Sequence, residues 1–485
     1  MVVEIDVADA SRAADASRAP LHGWMDEVVG VPREAPLLDG APYRFVSLDN
    51  AATTPPLKAV QQAVLDFLPW YASVHRGAGY KSRVATAAYE DARAVVTSFL
   101  GVDRGRQEVI FVKSATEGLN KVARSLAATD ATVYTTIMEH HANLLPWQAH
   151  AARVRFIEVD GDGVVDEEDL EQQLRAAAPG PKLLAIAGAY NVTGYAPPIH
   201  RLAALAHRHG AEILVDAAQL VPHRIVDVRG GAPGEEIDYL VFSAHKVYAP
   251  FGVGVLVAPR HAFHGAPDVV GGGVVDLVTP DEVVWTDLPD REEAGSPNAV
   301  GAVALAMALR RLEQIGRAAV EEYEATLTAY AVDRLLAVPG LTLLGPRRER
   351  VGVLSFVLAN VPHGYVAAVL GYEHGIGVRN GCFCAHRSML HLLRVDLGAT
   401  QHIQERIRAH DKSRVPGAVR ASLGLYNTVA DIDALADALM RVATGEVQGI
   451  YLEDARTGEY MPADWTPDYG AVLPWLSSRS PSAAR

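Results

Sequence analysis

Lys246 stands in the stretch IDYLVFSAHKVYAPFGVGVLV (237–257), between two apolar runs that read as buried strands. Ser243 and His245 sit beside it. The chain has only seven lysines, and this one alone lies between strongly apolar runs. Its ordinary reading is a strand-end lysine snorkelling to water. Its company argues for chemistry. Asp216 and Gln219 close the apolar run AEILVDAA (211–218), and His140 follows TVYTTI (132–137). Asn191 follows KLLAIAGAY (182–190), and Ser114, Ala115 and Thr116 follow EVIFVKS (108–114).

A free lysine amine is protonated at neutral pH, but burial and a nearby cation lower its pKa and let it condense with an aldehyde. The protein-borne aldehyde that fits is pyridoxal phosphate, which needs three supports. Its phosphate suits the helix N-terminus in SATEG (114–118), with the Thr116 hydroxyl and donors from Ser243 and His245. Its ring nitrogen needs a carboxylate, and Asp216 is available. Its ring face suits His140. Each group has a plainer reading alone: Asp216 as a helix cap, His140 as a packing residue, Ser114 and Glu117 as a capping box. Their joint occurrence, each at the end of an apolar run, favours the cofactor site.

From about residue 45 to 260, short continuous apolar runs alternate with helical patterns, which predicts a mostly parallel sheet covered on both faces. In such a sheet ligands bind beyond the carboxyl ends of the strands, where these groups fall. EAGSPNAVGAVALAMALRRLEQIG (293–316) predicts a long helix; GVLSFVLA (352–359) and DIDALADALMRVATG (431–445) predict a smaller α+β domain. The expected organisation is a flexible N-terminal segment 1–44, a large domain 45–295, a small domain 296–445 and an extension 446–485, with 387–418 irregular.

Across its 485 residues, 49% are hydrophobic, enough for a large core. No apolar run is long enough to span a membrane, and the N-terminus lacks the pattern of a secretory signal. A net charge of −14 disfavours nucleic acid as a partner; GPRRER (345–350), the one basic cluster, reads as a solvated loop. The two cysteines, Cys382 and Cys384, exclude a disulfide framework and suit a reducing cytoplasm. They also lack partners at metal-ligand spacing, and small buried inert cysteines are their plain reading. No strand is followed by G-x-G-x-x-G, which excludes a nicotinamide dehydrogenase of that type.

The chain resembles the pyridoxal-phosphate-dependent class V aminotransferase superfamily, in particular cysteine desulfurases and selenocysteine lyases. The matching stretches are LDNAATTPP (48–56), HRG (75–77), ATEGLNKVA (115–123), MEHHANLLPW (138–147), NVTG (191–194), VDAAQ (215–219), FSAHKVYAPFGVG (242–254), GGG (271–273), EAGSPN (293–298), GVRNGCFCAH (377–386) and VRASLGLYNT (419–428). The resemblance implies fold type I, with a seven-stranded large domain. It implies that Lys246 carries the cofactor, Asp216 pairs with its ring nitrogen, Gln219 with its phenolic oxygen, and His140 stacks on it, with Lys246 or His140 removing the substrate's α-proton. Ala115, Thr116, Ser243 and His245 would hold the phosphate, with Ser296 reaching it from the other subunit of a homodimer. His75, Asn191, Arg379 and Arg420 would bind substrate. Cys384 would be the nucleophile that takes sulfur from cysteine, leaving a persulfide for an acceptor protein. Transamination, epimerisation and C–S cleavage of a specialised amino acid are the alternative outcomes, and a non-catalytic scaffold a third. Two departures stand out: Ala115 replaces a hydroxyl common in relatives, and Cys382 precedes the nucleophile.

Overall fold

The computed structural model describes residues 24–476 apart from 39, 76, 128 and 466. Residues 1–23 and 477–485 of the two expected terminal segments, and Arg76 of HRG, therefore lie outside the described residues. The chain begins with a hairpin, β1 (Arg33–Pro36) and β2 (Pro42–Ser47), followed by helices α1 (Lys58–Phe67) and α2 (Tyr80–Leu100). The large sheet then takes β3 (Gln107–Val112), β4 (Thr132–Thr136), β5 (Arg153–Ile157), β6 (Lys182–Ala187), β7 (Glu212–Asp216), β8 (Tyr239–Ser243) and β9 (Gly254–Pro259). Its order is β3-β9-β8-β7-β6-β4-β5. Only β9 runs antiparallel to its neighbours, so β3, β4, β6, β7 and β8 end on one edge.

Between the strands run α3 (Ala115–Leu126), α4 (Leu145–His150), α5 (Glu167–Arg175) and α6 (Ile199–Arg208). The central strands β7, β8 and β9 are buried almost throughout, which is why their sequences are continuous apolar runs rather than alternating ones. Strand β5 had no such signal. It lies at one edge of the sheet, opposite β3, and its RVRFI sequence keeps arginines exposed between partly buried residues.

A small hairpin follows, β10 (Val275–Val278) with β11 (Val283–Trp285), then the long helices α7 (Ala299–Ile315) and α8 (Arg317–Leu336). Helix α7 lies beyond the boundary expected at 295/296, yet its Ala304, Leu305 and Leu309 join the core beneath the large sheet. The second core gathers α8, β12 (Leu341–Leu343), β13 (Val353–Leu358), α9 (His363–His374), β14 (Ile376–Gly377) and β16 (Ala418–Ser422), and β15 (Arg379–Gly381) pairs with β16. Its sheet order is β12-β13-β16-β15, while β14 joins the first hairpin through β2, so residues 33–47 are packed structure.

The segment 387–418 is not irregular. It holds α10 (His386–Leu392) and α11 (Leu397–Arg408), with Asp396 accepting from the Ala399 N–H at 2.8 Å. The exposed His and Arg residues of these short helices hid their period. The chain then forms α12 (Val429–Thr444), started by a capping box of Thr428 and Asp431, and a hairpin of β17 (Tyr451–Asp454) and β18 (Glu459–Pro462). Among the described residues no helix is long and apolar enough to cross a membrane.

Glu293 ties the loop before α7 to the sheet edge. Its carboxylate meets Arg93 at 2.7 Å and accepts from the Tyr89 hydroxyl and the Phe111 N–H, each at 2.6 Å. The side chains of Arg93 and Glu293 are 3% and 6% exposed. Removing one partner strands a buried charge, so Glu293→Ala is expected to cost about 3–5 kcal/mol of stability. Denaturant unfolding checks this; a loss below about 1 kcal/mol, the range of an exposed pair, would contradict the assignment.

Candidate active site

The carboxyl edge of the large sheet forms a cup between β3 and β8. Ser243 ends β8, and its Oγ accepts the Ala115 N–H at 2.9 Å, so its own O–H proton remains free to donate. Ala115 and the exposed Thr116 begin α3, where unpaired backbone N–H groups favour an anion. Gly254 makes this approach possible. A Cβ there would lie 2.7 Å from the Ser114 Cα and 2.9 Å from the Phe242 carbonyl oxygen. The plainer alternative, a Ser114–Glu117 capping box, does not form: the Ser114 side chain caps nothing, while Glu117 accepts from the Lys113 N–H. Ser114 sits in fully extended backbone with φ near 180°, which places its carbonyl rather than its hydroxyl at the helix start.

Lys246 and Asp216 follow neighbouring parallel strands, with Asp216 in register with Val241. Asp216 is 6% exposed, and its Oδ1 accepts the Ala218 N–H at 3.1 Å in the turn rather than capping a helix. Burial raises its pKa, against that N–H and the charge of Lys246. Burial brings the Lys246 amine down to about 8; Arg420 and Arg379 push the same way, Asp216 and Cys384 against. His140 is held near 4 by burial, then by Lys246, His141 and Arg420. Its ring is therefore neutral at physiological pH, and its Nδ1 accepts the Ala142 N–H at 3.1 Å, which leaves the proton on Nε2. Gln219 donates to the Ala51 carbonyl at 2.7 Å, while its buried Oε1 has no partner. His245 is half-buried beside Lys246, and its carbonyl receives the Thr53 and Thr54 hydroxyls.

Across the cup, β15 and β16 set Arg379 directly opposite Arg420. Like charges so placed repel. Asp49 offsets this by reaching each guanidinium at 3.4 Å. Within LDNAATTPP nothing in the spacing of Asp49 points to these distant arginines. Arg420 is 2% exposed, donates to the Asn191 carbonyl at 3.0 Å and lies 4.8 Å from the Phe383 ring centroid. Its buried Nε is unpartnered. The Asn191 side chain is occupied: it donates to the Phe383 carbonyl at 2.7 Å and so holds the cysteine loop. Beneath it, Arg350 corrects the reading of GPRRER. Arg347 and Arg348 are exposed, but Arg350 is buried and donates to the carbonyls of Thr193 and Leu344. Burial follows because the loop folds back onto residues 191–195.

Both Phe383 and Cys384 adopt left-handed backbone, with φ of 54° and 55°. Such consecutive strain aims the loop at the cup. The two cysteines are not buried: Cys384 is exposed and Cys382 half-exposed. His75 and Ser296 do not join this cluster. They line a separate groove with Ser73, Gly273 and Pro297, where His75 Nε2 lies 2.9 Å from Glu90.

These residues suit pyridoxal phosphate. A lysine amine brought down to about 8, a buried carboxylate on the next strand and a glycine-cleared helix start match its aldehyde, ring nitrogen and phosphate. Among the described residues no group of three His, Cys, Asp or Glu side chains is arranged to hold a metal ion.

A family model described as Aminotransferase class-V matches residues 46–435. A cysteine desulfurase of Klebsiella pneumoniae subsp. pneumoniae is 39% identical over 409 residues, covering 82% of this chain and 93% of its own. A cysteine desulfurase of Haloferax volcanii is 36% identical over 407 residues, 81% of this chain and 88% of its own. Among solved structures, an apo cysteine desulfurase from Thermococcus onnurineus NA1 superposes with a TM-score of 0.72 at 32% identity, covering 83% of this chain and 95% of that one.

Proposed function

The chain belongs to the class-V aminotransferase family, and on that premise we propose that it is a pyridoxal-phosphate-dependent cysteine desulfurase, converting L-cysteine to L-alanine with a persulfide left on Cys384. The observation that carries this reading is the placement of Cys384. It is exposed on a left-handed turn, close enough to Lys246 and Arg420 for its charge to act on both.

Lys246 would hold the cofactor's aldehyde carbon, Asp216 its ring nitrogen, Gln219 its phenolic oxygen and His140 its ring face. Its phosphate would rest on Ala115, Thr116, Ser243 and His245. When bound there, it supplies the electron sink that makes the substrate's α-proton removable. Arg420 is a planar, permanently cationic fork suited to the substrate carboxylate. Asp49 and the Asn191 carbonyl orient it, and Arg379 adds a second cation beside it. The Lys246 amine, largely free of its proton above about pH 8, or His140 takes the α-proton. The Cys384 thiolate attacks the substrate sulfur: a new S–S bond forms, the substrate's C–S bond breaks, and a C–H bond replaces it in alanine.

The groove holding His75 and Ser296 supports a homodimer in which each subunit completes the other's site. Leu68, Trp70, Tyr71 and Tyr80 leave exposed apolar surface near that groove, as an interface would. Two unpaired cysteines suit a reducing cytoplasm.

The decisive experiment gives the protein, loaded with pyridoxal phosphate, a panel of amino acids and identifies the products. Cysteine should yield alanine and protein-bound or released sulfane sulfur in equal amounts. A keto acid or an inverted α-carbon as main product would assign another reaction.

A further inference from the structure

The second cysteine has a machinery of its own. Cys382 Sγ lies 3.2 Å from His386 Nε2. The other nitrogen of His386, Nδ1, lies 3.2 Å from His141 Nε2, and the two rings stack 5.0 Å apart at 9°. His141 is also bound to the nucleophile's loop, its N–H donating to the Cys384 carbonyl at 2.8 Å. The two sulfurs serve different spaces. Cys384 follows Phe383, whose ring lies 4.8 Å from Arg420 and whose carbonyl accepts from Asn191 at 2.7 Å on the cup side. Cys382, with His386, lines another groove, walled by His363, Lys412, Arg414 and Tyr460 of the hairpin β17–β18. None of those walls belongs to the cup.

We propose that Cys382 is a second sulfur-transfer thiol, which takes the outer sulfur from the Cys384 persulfide and presents it to an acceptor thiol in the groove beside β17 and β18. This rests on the desulfurase reading above. His386 removes the Cys382 proton, and His141 holds the other face of that ring. The Cys382 thiolate attacks the outer sulfur of Cys384–S–SH. The S–S bond to Cys384 breaks, Cys384 leaves as thiolate, and the product is Cys382–S–SH; no oxidant or reductant is consumed. Burial lowers the pKa of both His386 and His141, so each imidazole is neutral and able to accept a proton.

Reach permits the step. Residues two apart have Cα atoms separated by at most about 7 Å. The outer sulfur stands about 2 Å beyond Cys384 Sγ. Attack on the inner sulfur would instead close a very tight Cys382–Cys384 disulfide ring, which is strained. The left-handed turn at Phe383 and Cys384 lets one loop present its two thiols to two different spaces.

The test gives the loaded protein one equivalent of L-cysteine, quenches with an alkylating agent at successive times, and locates the added sulfur by fragmenting the peptide that contains both cysteines. Sulfur is expected on Cys384 first and on Cys382 later. In His386→Asn its arrival at Cys382, relative to Cys384, is expected to slow by about 10²-fold, the usual effect of losing a positioned base. In Cys382→Ser it should stay on Cys384, and its release to added glutathione should slow. Sulfur that remains on Cys384 throughout in the unmodified protein overturns the relay, as does a Cys382–Cys384 disulfide with release of hydrosulfide. Cys384→Ala separates the two readings. If neither cysteine is then charged, the desulfurase reading holds and the relay stands on the time course; if Cys382 is still charged, the persulfide assignment itself falls.

Discussion

Lys246→Ala is expected to lower alanine formation from L-cysteine by about 10²–10⁴-fold, the usual worth of a positioned proton-transfer group, and to abolish covalent capture of pyridoxal phosphate. The reason is the environment of one amine. Burial, aided by Arg420 and Arg379, takes it from 10.5 down to about 8. At pH 7 about one molecule in ten then carries a free amine, against roughly one in three thousand for an ordinary lysine. Below about 8 the amine is mostly protonated and inert, so capture should rise about tenfold from pH 6 to pH 7 and level off above 8. Borohydride reduction followed by intact-mass measurement reads this without any turnover. A bound mass that survives in the alanine variant would remove Lys246 from its role.

Cys384→Ala should be as damaging, but to a different step. Loss of the nucleophile is expected to depress alanine and sulfane-sulfur formation by on the order of 10³-fold or more, within the range seen when a covalent nucleophile is deleted. The groups proposed to hold and deprotonate the amino acid, Arg420 and Lys246, stand on other elements. Exchange of the substrate α-proton with deuterated water should therefore continue. That separation of outcomes discriminates among members of the family. Loss of exchange together with desulfuration would point to a collapsed site, and undiminished alanine formation would leave the sulfur with another acceptor.

Much of the large sheet was legible. Strands β6, β7 and β8 are continuous apolar runs because both faces are covered, and such a run ends where the sheet edge meets solvent or ligand. A carboxylate at 216 and a lysine at 246 therefore announced their edge before any contact was known. Strand β5 escaped for the converse reason: unlike β3, the buried strand at the other edge, it is exposed, so it needs fewer apolar residues and keeps charges that discourage further pairing. Helices α10 and α11 escaped because polar and basic side chains dominate their exposed faces.

The sequence by itself determined which residues are chemically capable: the one lysine between apolar runs, the carboxylate and histidine at strand ends, and the paired cysteines in GCFCAH. These follow from local pattern, since alternation, helical period and the end of an apolar run each involve neighbours along the chain. Only the tertiary structure decided how they are used. Asp49 reconciles two arginines more than 300 positions away, and Asn191 anchors a carbonyl 192 residues further on. His386 meets His141 across 245 residues, and Arg350 is sealed beneath residues 193–195 rather than solvated. Such contacts are set by the packing of one element on another, where charge, burial and distance are settled together and sequence spacing carries no record of them.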